Sequence, residues 1–330
     1  MRYDLHTHYY PSTYFDKIRE LPSDFSFDRD PTGRTIITLR GARFFGVTPP
    51  MTDPGKRLED MDRVGIDVEV LSLSTPNIFF AAEEHEPELA RRVNDAYADL
   101  ASRHPKRFKG FASIPMSVPD EALRELHRAL GELGMCGVVL LSNLRGRALT
   151  ADEYRPFFEE ANRLGACIFL HPMLPVATEP FREYVLGPLV AFPADTTLAV
   201  ARMCFHGMFR DFPDIIWIVA HAGGAIPWLM ERLDNGFRDF AECRANLEEL
   251  PSSYLRRLYY DTVTFSPHTL GLLRDLVGCD RMVMGSDYPH LLGSIDRAVS
   301  SIEEMKIPEL EKHRIFSGNA LSILHNVGPA

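Results

Sequence analysis

Eight short, nearly continuous apolar runs, spaced by longer stretches of helical periodicity, constrain this chain more than any other feature. The runs are 2–7 (RYDLHT), 68–74 (VEVLSLS), 109–114 (KGFASI), 136–142 (CGVVLLS), 166–171 (ACIFLH), 215–220 (IIWIVA), 258–262 (LYYDT) and 281–286 (RMVMGS). A strand covered on both faces needs no polar alternation, so such runs suit a parallel sheet with helices packed on it. Helical patterns lie between them at 54–64, 86–103, 119–133, 151–164, 179–192 and 268–277. This alternation reads as an α/β fold, a closed (β/α)8 TIM barrel. An open doubly wound sheet is the alternative. Its dinucleotide-binding version is disfavoured, because no glycine fingerprint follows the first run.

One region breaks the rhythm. Residues 9–53 separate the first strand from the first helix, and 34–45 (RTIITLRGARFF), entered through DPTG at 30–33, reads as part of a β-hairpin. We expect a single domain over 1–330 with a small insertion at about 9–53. A second long connection spans 172–200. Barrels of this length routinely form one domain, and 45% hydrophobic residues are ample for its core. The net charge of -10 comes without a basic run, which argues against nucleic acid. Five cysteines (Cys136, Cys167, Cys204, Cys243, Cys279) show no CxxC and no disulfide spacing. Cys136 and Cys167 sit in apolar stretches as core residues, and a reducing cytoplasm is expected. The N-terminus MRYDLHTHYYP has no apolar signal core. No apolar run approaches the roughly 20 residues that span a bilayer, so no membrane partner is expected.

The histidines carry the chemistry. His6 and His8 end the first strand, and residues i and i+2 of a strand share a side. His171 ends the fifth strand in IFLHP, His221 follows the sixth in IVAHAGG, and Asp287 follows the eighth in MGSDYP. These are strand C-termini, the face on which such barrels carry active sites. Imidazoles with one carboxylate suit zinc, and also manganese or iron. Spacing alone does not rank His221 as ligand or as acid/base. A lone H-x-H arises often by chance; five such residues at strand ends do not, and two buried imidazoles are costly unless paired or metal-bound. His85, His104, His127, His313 and His325 read as surface or helix positions and His206 as packed. His290, beyond SDYP, is a candidate pocket residue.

The stretches DLHTHYYP (4–11), DPGKRLEDMDRVGIDVEVLSLS (53–74), FLHP (169–172), AFPADTTLA (191–199), HAGGAIPWLMERLDNGFR (221–238), YYDTVTFSP (259–267), MVMGSDYPH (282–290) and SGNALSIL (317–324) run the length of the chain. In them the sequence resembles the amidohydrolase superfamily, within the branch of the amino-carboxymuconate-semialdehyde and related aromatic acid decarboxylases. The resemblance implies a distorted barrel and one divalent ion, zinc before manganese, with no organic cofactor. It matches His6, His8, His171 and Asp287 to the ligands and His221 to the histidine that handles water or a proton. The fourth strand, CGVVLLSN, lacks the bridging lysine of other superfamily members, which favours a mononuclear site. Two arginines of the family grip substrate carboxylates. Arg238 matches one that reaches a neighbouring subunit's site, so a homodimer is expected. Arg43 lies two residues from the other, with Phe45 nearer that slot. Together with Tyr9, Tyr10 and Phe44 this makes the region aromatic and favours a hydroxybenzoate-type acid over a muconate. His290 joins Arg43, Phe45 and Arg238 as a candidate substrate contact.

The resulting expectation is metal-dependent, non-oxidative decarboxylation of a small aromatic or muconate-type acid, with His221 or Asp287 delivering the proton. Hydrolysis or hydration of a small carbonyl, ester or amide compound at the same site, with Asp287 as base, is the alternative. A metal-stabilised binding protein without turnover is the third reading.

Overall fold

The computed structural model describes residues 1–39, 42–175, 179–181 and 183–325, with the side chains at 42–44 and 325 outside that description. The eight apolar runs form the strands Tyr3–His8, Val68–Ser72, Phe108–Gly110 continued by Ala112–Ser113, Val138–Leu141, Cys167–His171, Ile216–Val219, Tyr259–Asp261 and Met282–Val283. Each runs parallel to its neighbours in chain order. Across the break at Phe111 its amide donates to Leu71 O at 2.8 Å. The sheet closes where Leu5 N donates to Met284 O (3.0 Å) and Asp287 N to His6 O (2.8 Å).

Both faces of this sheet are apolar, which explains the continuous runs. Inside, Leu5, Val70, Phe111, Val139, Phe169, Ile218 and Val283 form one buried cluster, and Ala320 and Ile323 of the last helix join it. Outside, residues such as Leu71, Leu140, Ile168, Leu170 and Val219 belong to a second cluster with helical Val93, Tyr97, Phe158 and Met203. Interior positions therefore alternate along each strand: Cys167 and Phe169 on the fifth lead to His171, and Val283 on the eighth leads through Gly285 to Asp287.

The first strand departs from this alternation. Asp4 pairs with Glu69 but Thr7 with Leu71, so the first strand carries one extra residue there. Such a bulge re-aims the side chains beyond it. Leu5 faces the interior core, and beyond the bulge His6 and His8 also face inward while Thr7 turns out. Asp4 supports the bulge by accepting from His6 N at 3.2 Å.

The buried Arg57 of helix Pro54–Val64 ties this strand end in place. It pairs with Glu69 at 2.7 Å and donates to His8 O at 2.7 Å, to Pro50 O at 3.1 Å and to Thr7 Oγ1.

The insertion carries helix Ser12–Glu20 and a three-stranded antiparallel sheet, Phe25–Arg29, Thr35–Leu39 and Ala42–Gly46. The DPTG turn joins the first two of these strands, so the expected hairpin gains a strand. Asp30 makes that turn by accepting from the amides of Thr32 and Arg34, with Gly33 at φ 81°.

The helix expected at 179–192 is displaced. Short turns at Glu179–Phe181 and Glu183–Val185 and a wide turn at Gly187–Ala191 precede a helix at Phe192–Phe205. Pro188 and Pro193 each fit only a first helical turn, and Tyr184 and Val185 have φ of 51° and 60°. One further expectation needs correcting. The stretch Glu183–Phe205, 23 residues, is long and apolar enough to cross a bilayer by length and composition alone. Only part of it is buried: Thr196, Val200, Met203 and Cys204 pack into the fold, while Leu189, Val190 and Leu198 are exposed.

Removing Arg57 leaves Glu69 a buried, uncompensated charge. Arg57→Leu should cost about 3–5 kcal/mol of stability, read by urea denaturation, and Arg57→Leu/Glu69→Leu should recover part of it. An Arg57→Leu chain as stable as the parent would show that the pair anchors nothing.

Candidate metal centre

The C-terminal ends of the first, fifth and eighth strands bring His6, His8, His171 and Asp287 together. One donor atom from each lies within 4.8 Å of the others, and all four residues are buried. His6 Nε2 is 3.1 Å from His8 Nε2, and both approach Asp287 Oδ1, at 3.3 and 3.2 Å. Gly285 makes the space: a Cβ there would stand 2.7 Å from the Cβ of His6.

The other nitrogen of each imidazole is tied down, which fixes the tautomer. His171 Nδ1 lies 3.0 Å from Pro172 O, which can only accept, so Nδ1 carries the proton. Ser72 Oγ donates to Thr7 O at 3.0 Å and so accepts from His8 Nδ1, also at 3.0 Å. His6 Nδ1 donates to the Asp261 carboxylate at 2.5 Å. Three Nε2 atoms and a carboxylate oxygen thus converge on one point, and once His6 gives up its proton all four can serve as ligands. This donor set fits a single divalent cation.

The electrostatics agree. Burial, together with the neighbouring imidazoles, pushes His8 down to about 3 and His171 well below the usual histidine range, so both are neutral ligands at neutral pH. Burial opposes charge on His6 too, but the Asp261 carboxylate outweighs it and holds that imidazole up to about 10. Burial likewise opposes ionisation of Asp287, yet the imidazoles of His221 and His6 facing it hold it well below the carboxylate range.

His221 stands beside the cluster, with Nε2 3.7 Å from Asp287 Oδ2 and a buried Nδ1 that has no partner among the described residues. Its backbone is left-handed (φ 55°), as is that of Ala222 (φ 53°). The Asp261 carboxylate accepts from both amides, at 2.9 and 2.8 Å, and so holds the turn. Asp261, at the end of the seventh strand, orients both His6 and His221. Its signal was there, an aspartate at a strand C-terminus in YYDT, but without a spacing to a second donor.

A cavity of about 700 Å³ opens from the cluster, lined by His171, His221 and Asp287 at its base, with Phe45, His290 and Phe265 among its walls. His290 lies 3.1 Å from the buried Tyr10 hydroxyl through Nε2 and edge-on to Phe45 at 5.4 Å. Arg238 is not at this cavity. It is exposed on helix Ile226–Asp239 and engaged by Glu231 (2.9 Å) and Asn235 (2.6 Å). Arg43 pairs with Thr38 through the sheet backbone, and its side chain lies outside the described residues. Phe44 shares that position.

Comparison with known proteins points the same way. The sequence pattern of the family described as Amidohydrolase matches residues 3–325. The chain is 31% identical to the 2-amino-3-carboxymuconate-6-semialdehyde decarboxylase of Dictyostelium discoideum, over 98% of this chain and 91% of that one. It is 30% identical to the gamma-resorcylate decarboxylase of Polaromonas sp. strain JS666, over 81% of this chain and 86% of that one. Among solved structures it is similar to a dihydroxybenzoic acid decarboxylase of the same Polaromonas strain, solved with bound manganese and the inhibitor 2-nitroresorcinol. There the TM-score is 0.78 at 25% identity, over 98% of this chain and 96% of that one.

Asp261→Asn keeps the shape of the carboxylate but removes its charge. It should weaken metal affinity about 10- to 100-fold, measured by competition with a chromogenic chelator; an unchanged affinity would remove Asp261 from the site. The proton balance gives a second expectation. At pH 7 the ion-free His6 is protonated, while His8 and His171 are neutral and Asp287 is ionised. Metal entry should therefore release about one proton at pH 7. Affinity should rise about tenfold per pH unit from 7 toward 10 and level off above it. Calorimetry in buffers of different ionisation enthalpy reads the proton count; no release would contradict the assignment of His6.

Proposed function

Because the chain belongs to the amidohydrolase family, we propose that it is a non-oxidative decarboxylase of a hydroxybenzoate-type acid, working with one divalent ion at His6, His8, His171 and Asp287. The observation that carries this reading is the convergence of those four donors at the base of an aromatic-walled cavity with His221 beside them. Three imidazoles to one carboxylate favour zinc as the ion. Manganese, present in the Polaromonas enzyme, is the competing choice, and elemental analysis of the purified protein decides between them.

When bound, the ion supplies positive charge beside the substrate's oxygens. The chain's own residues do the rest. Asp287 is held ionised, so it accepts hydrogen bonds and leaves proton delivery to His221. That proton goes to the ring carbon bearing the carboxylate. The bond from that carbon to the carboxylate then breaks, its electron pair restores the aromatic ring, and carbon dioxide leaves. Phe45 and Phe265 give the ring apolar walls, and the unpartnered His221 Nδ1 is left for a group that arrives with substrate.

Two further assignments belong to this reading. A homodimer is supported by Trp228 and Phe240, large apolar side chains 60% and 59% exposed at the two ends of the helix that carries Arg238, and light scattering tests it. A reducing cytoplasm is supported by five cysteines that are all free.

The decisive experiment is carbon dioxide release from a panel of hydroxybenzoates and muconate-type acids by metal-analysed protein. Release should vanish on chelation and in Asp287→Ala. His221→Ala should keep the metal and lose about 10²- to 10⁴-fold in turnover; full turnover would take His221 out of the mechanism. Incorporation of labelled water without carbon dioxide release would move the assignment to a hydrolase or hydratase.

A further inference from the structure

The cavity is larger than a simple ring acid needs. A monohydroxybenzoate has about 10 non-hydrogen atoms. Even at about 30 Å³ apiece, the volume of a water molecule in the liquid, it fills about 300 Å³. The cavity holds about 700 Å³.

The character of the cavity also changes along its length. Its base is polar, with His171, Asp287, Ser74 and Thr75 all buried. Its outer part is formed by Val185, Leu189, Phe192, Phe265, Leu291 and Leu292. Four of these are large aliphatic side chains between 46% and 57% exposed. Among the described lining residues no Lys, Arg or Glu occurs, and the one carboxylate is Asp287 at the base. A charged or strongly polar group in the outer part would lose hydration without gaining a partner. Exposed aliphatic side chains gathered around one opening mark a ligand surface.

We infer that the acid accepted by this site carries an apolar substituent of several carbon atoms, which lies along the outer cavity against Leu189, Leu291 and Leu292. The inference rests on the decarboxylase reading for the polar end of the substrate and adds the chemistry of the other end. The carboxylate and phenol oxygens sit at the base, where Asp287, the one charged carboxylate among the described lining residues, stands with His171, His221, Ser74 and Thr75. The ring lies between Phe45 and Phe265, and the alkyl group replaces water over the aliphatic side chains. Each methylene so covered contributes up to about 0.8 kcal/mol, equivalent to about fourfold in affinity.

The test uses the full chain loaded with its metal, with 2-hydroxybenzoate and its 4-alkyl and 6-alkyl derivatives from methyl to pentyl. Dissociation constants are read by calorimetry and carbon dioxide release is measured in parallel. In at least one series, affinity should tighten about two- to fourfold per carbon. Leu291→Asp should collapse the ratio between the pentyl compound and its parent. Affinity that stays flat or weakens along both series overturns the inference, whether or not carbon dioxide appears. Tightening with no carbon dioxide from any acid sustains it and removes the decarboxylase reading instead. If Leu291→Asp leaves the ratio intact but halves the particle mass by light scattering, the aliphatic rim is an interface between copies, and the inference falls.

Discussion

Three imidazole Nε2 atoms and a carboxylate oxygen crowd together at the mouth of the barrel, and much of the surrounding structure serves to hold that arrangement. His6 and His8 bring their Nε2 atoms to 3.1 Å, a contact that only a shared cation or proton makes favourable. The cluster persists because each ring is fixed from behind: His6 by Asp261, His8 by Ser72, His171 by the Pro172 carbonyl. Remove those partners and the rings are free to rotate apart, which dissolves the site. Asp261 has the widest reach, since its carboxylate also holds the left-handed turn that presents His221.

The supports of the cluster are themselves buried and charged, so the barrel mouth is an electrostatic unit as well as a packed one. Arg57 joins the second strand to the end of the first through Glu69 and the His8 carbonyl. Asp4 joins the first strand to the eighth through Ser286, whose amide and hydroxyl both donate to it. These contacts carry no chemistry, yet they decide where the ligands stand. Beyond them the cavity turns apolar within a few residues, from Asp287 to Leu291 and Leu292 on the same loop. Reaction and selectivity are thereby separated along the cavity: charge is confined to its base, and shape and apolar surface govern its outer part.

How much of this was legible in the sequence depended on whether the signal was local. The eight strands were legible because a sheet packed on both faces writes itself as unbroken apolar runs. The metal donors were legible because each sits directly at the end of such a run. The helix placed at 179–192 was not, because apolar periodicity there continues through Pro188 and Pro193, whose effect on the backbone outweighs it. Asp261 was not legible as an organising group, since an aspartate acting through hydrogen bonds to residues 40 and 255 positions away leaves no spacing to find. Arg238 matches a family arginine that reaches a neighbouring subunit's site; within its own chain it is engaged by Glu231 and Asn235 of the same helix.

By itself the sequence determined which residues become strands and which donors end them, because burial on two faces and strand termination are both properties of short segments. It did not determine which way the first strand's histidines face. Tyr3 and Leu5 lie in the interior core, and simple alternation from them would turn His6 and His8 outward and Thr7 inward. The extra residue between Asp4 and Thr7 reverses that order. It exists because the first strand must satisfy two neighbours at once, the second strand on one side and the Met284–Tyr288 segment on the other. Only the closed barrel brings both together, so the orientation of the metal ligands is a tertiary decision.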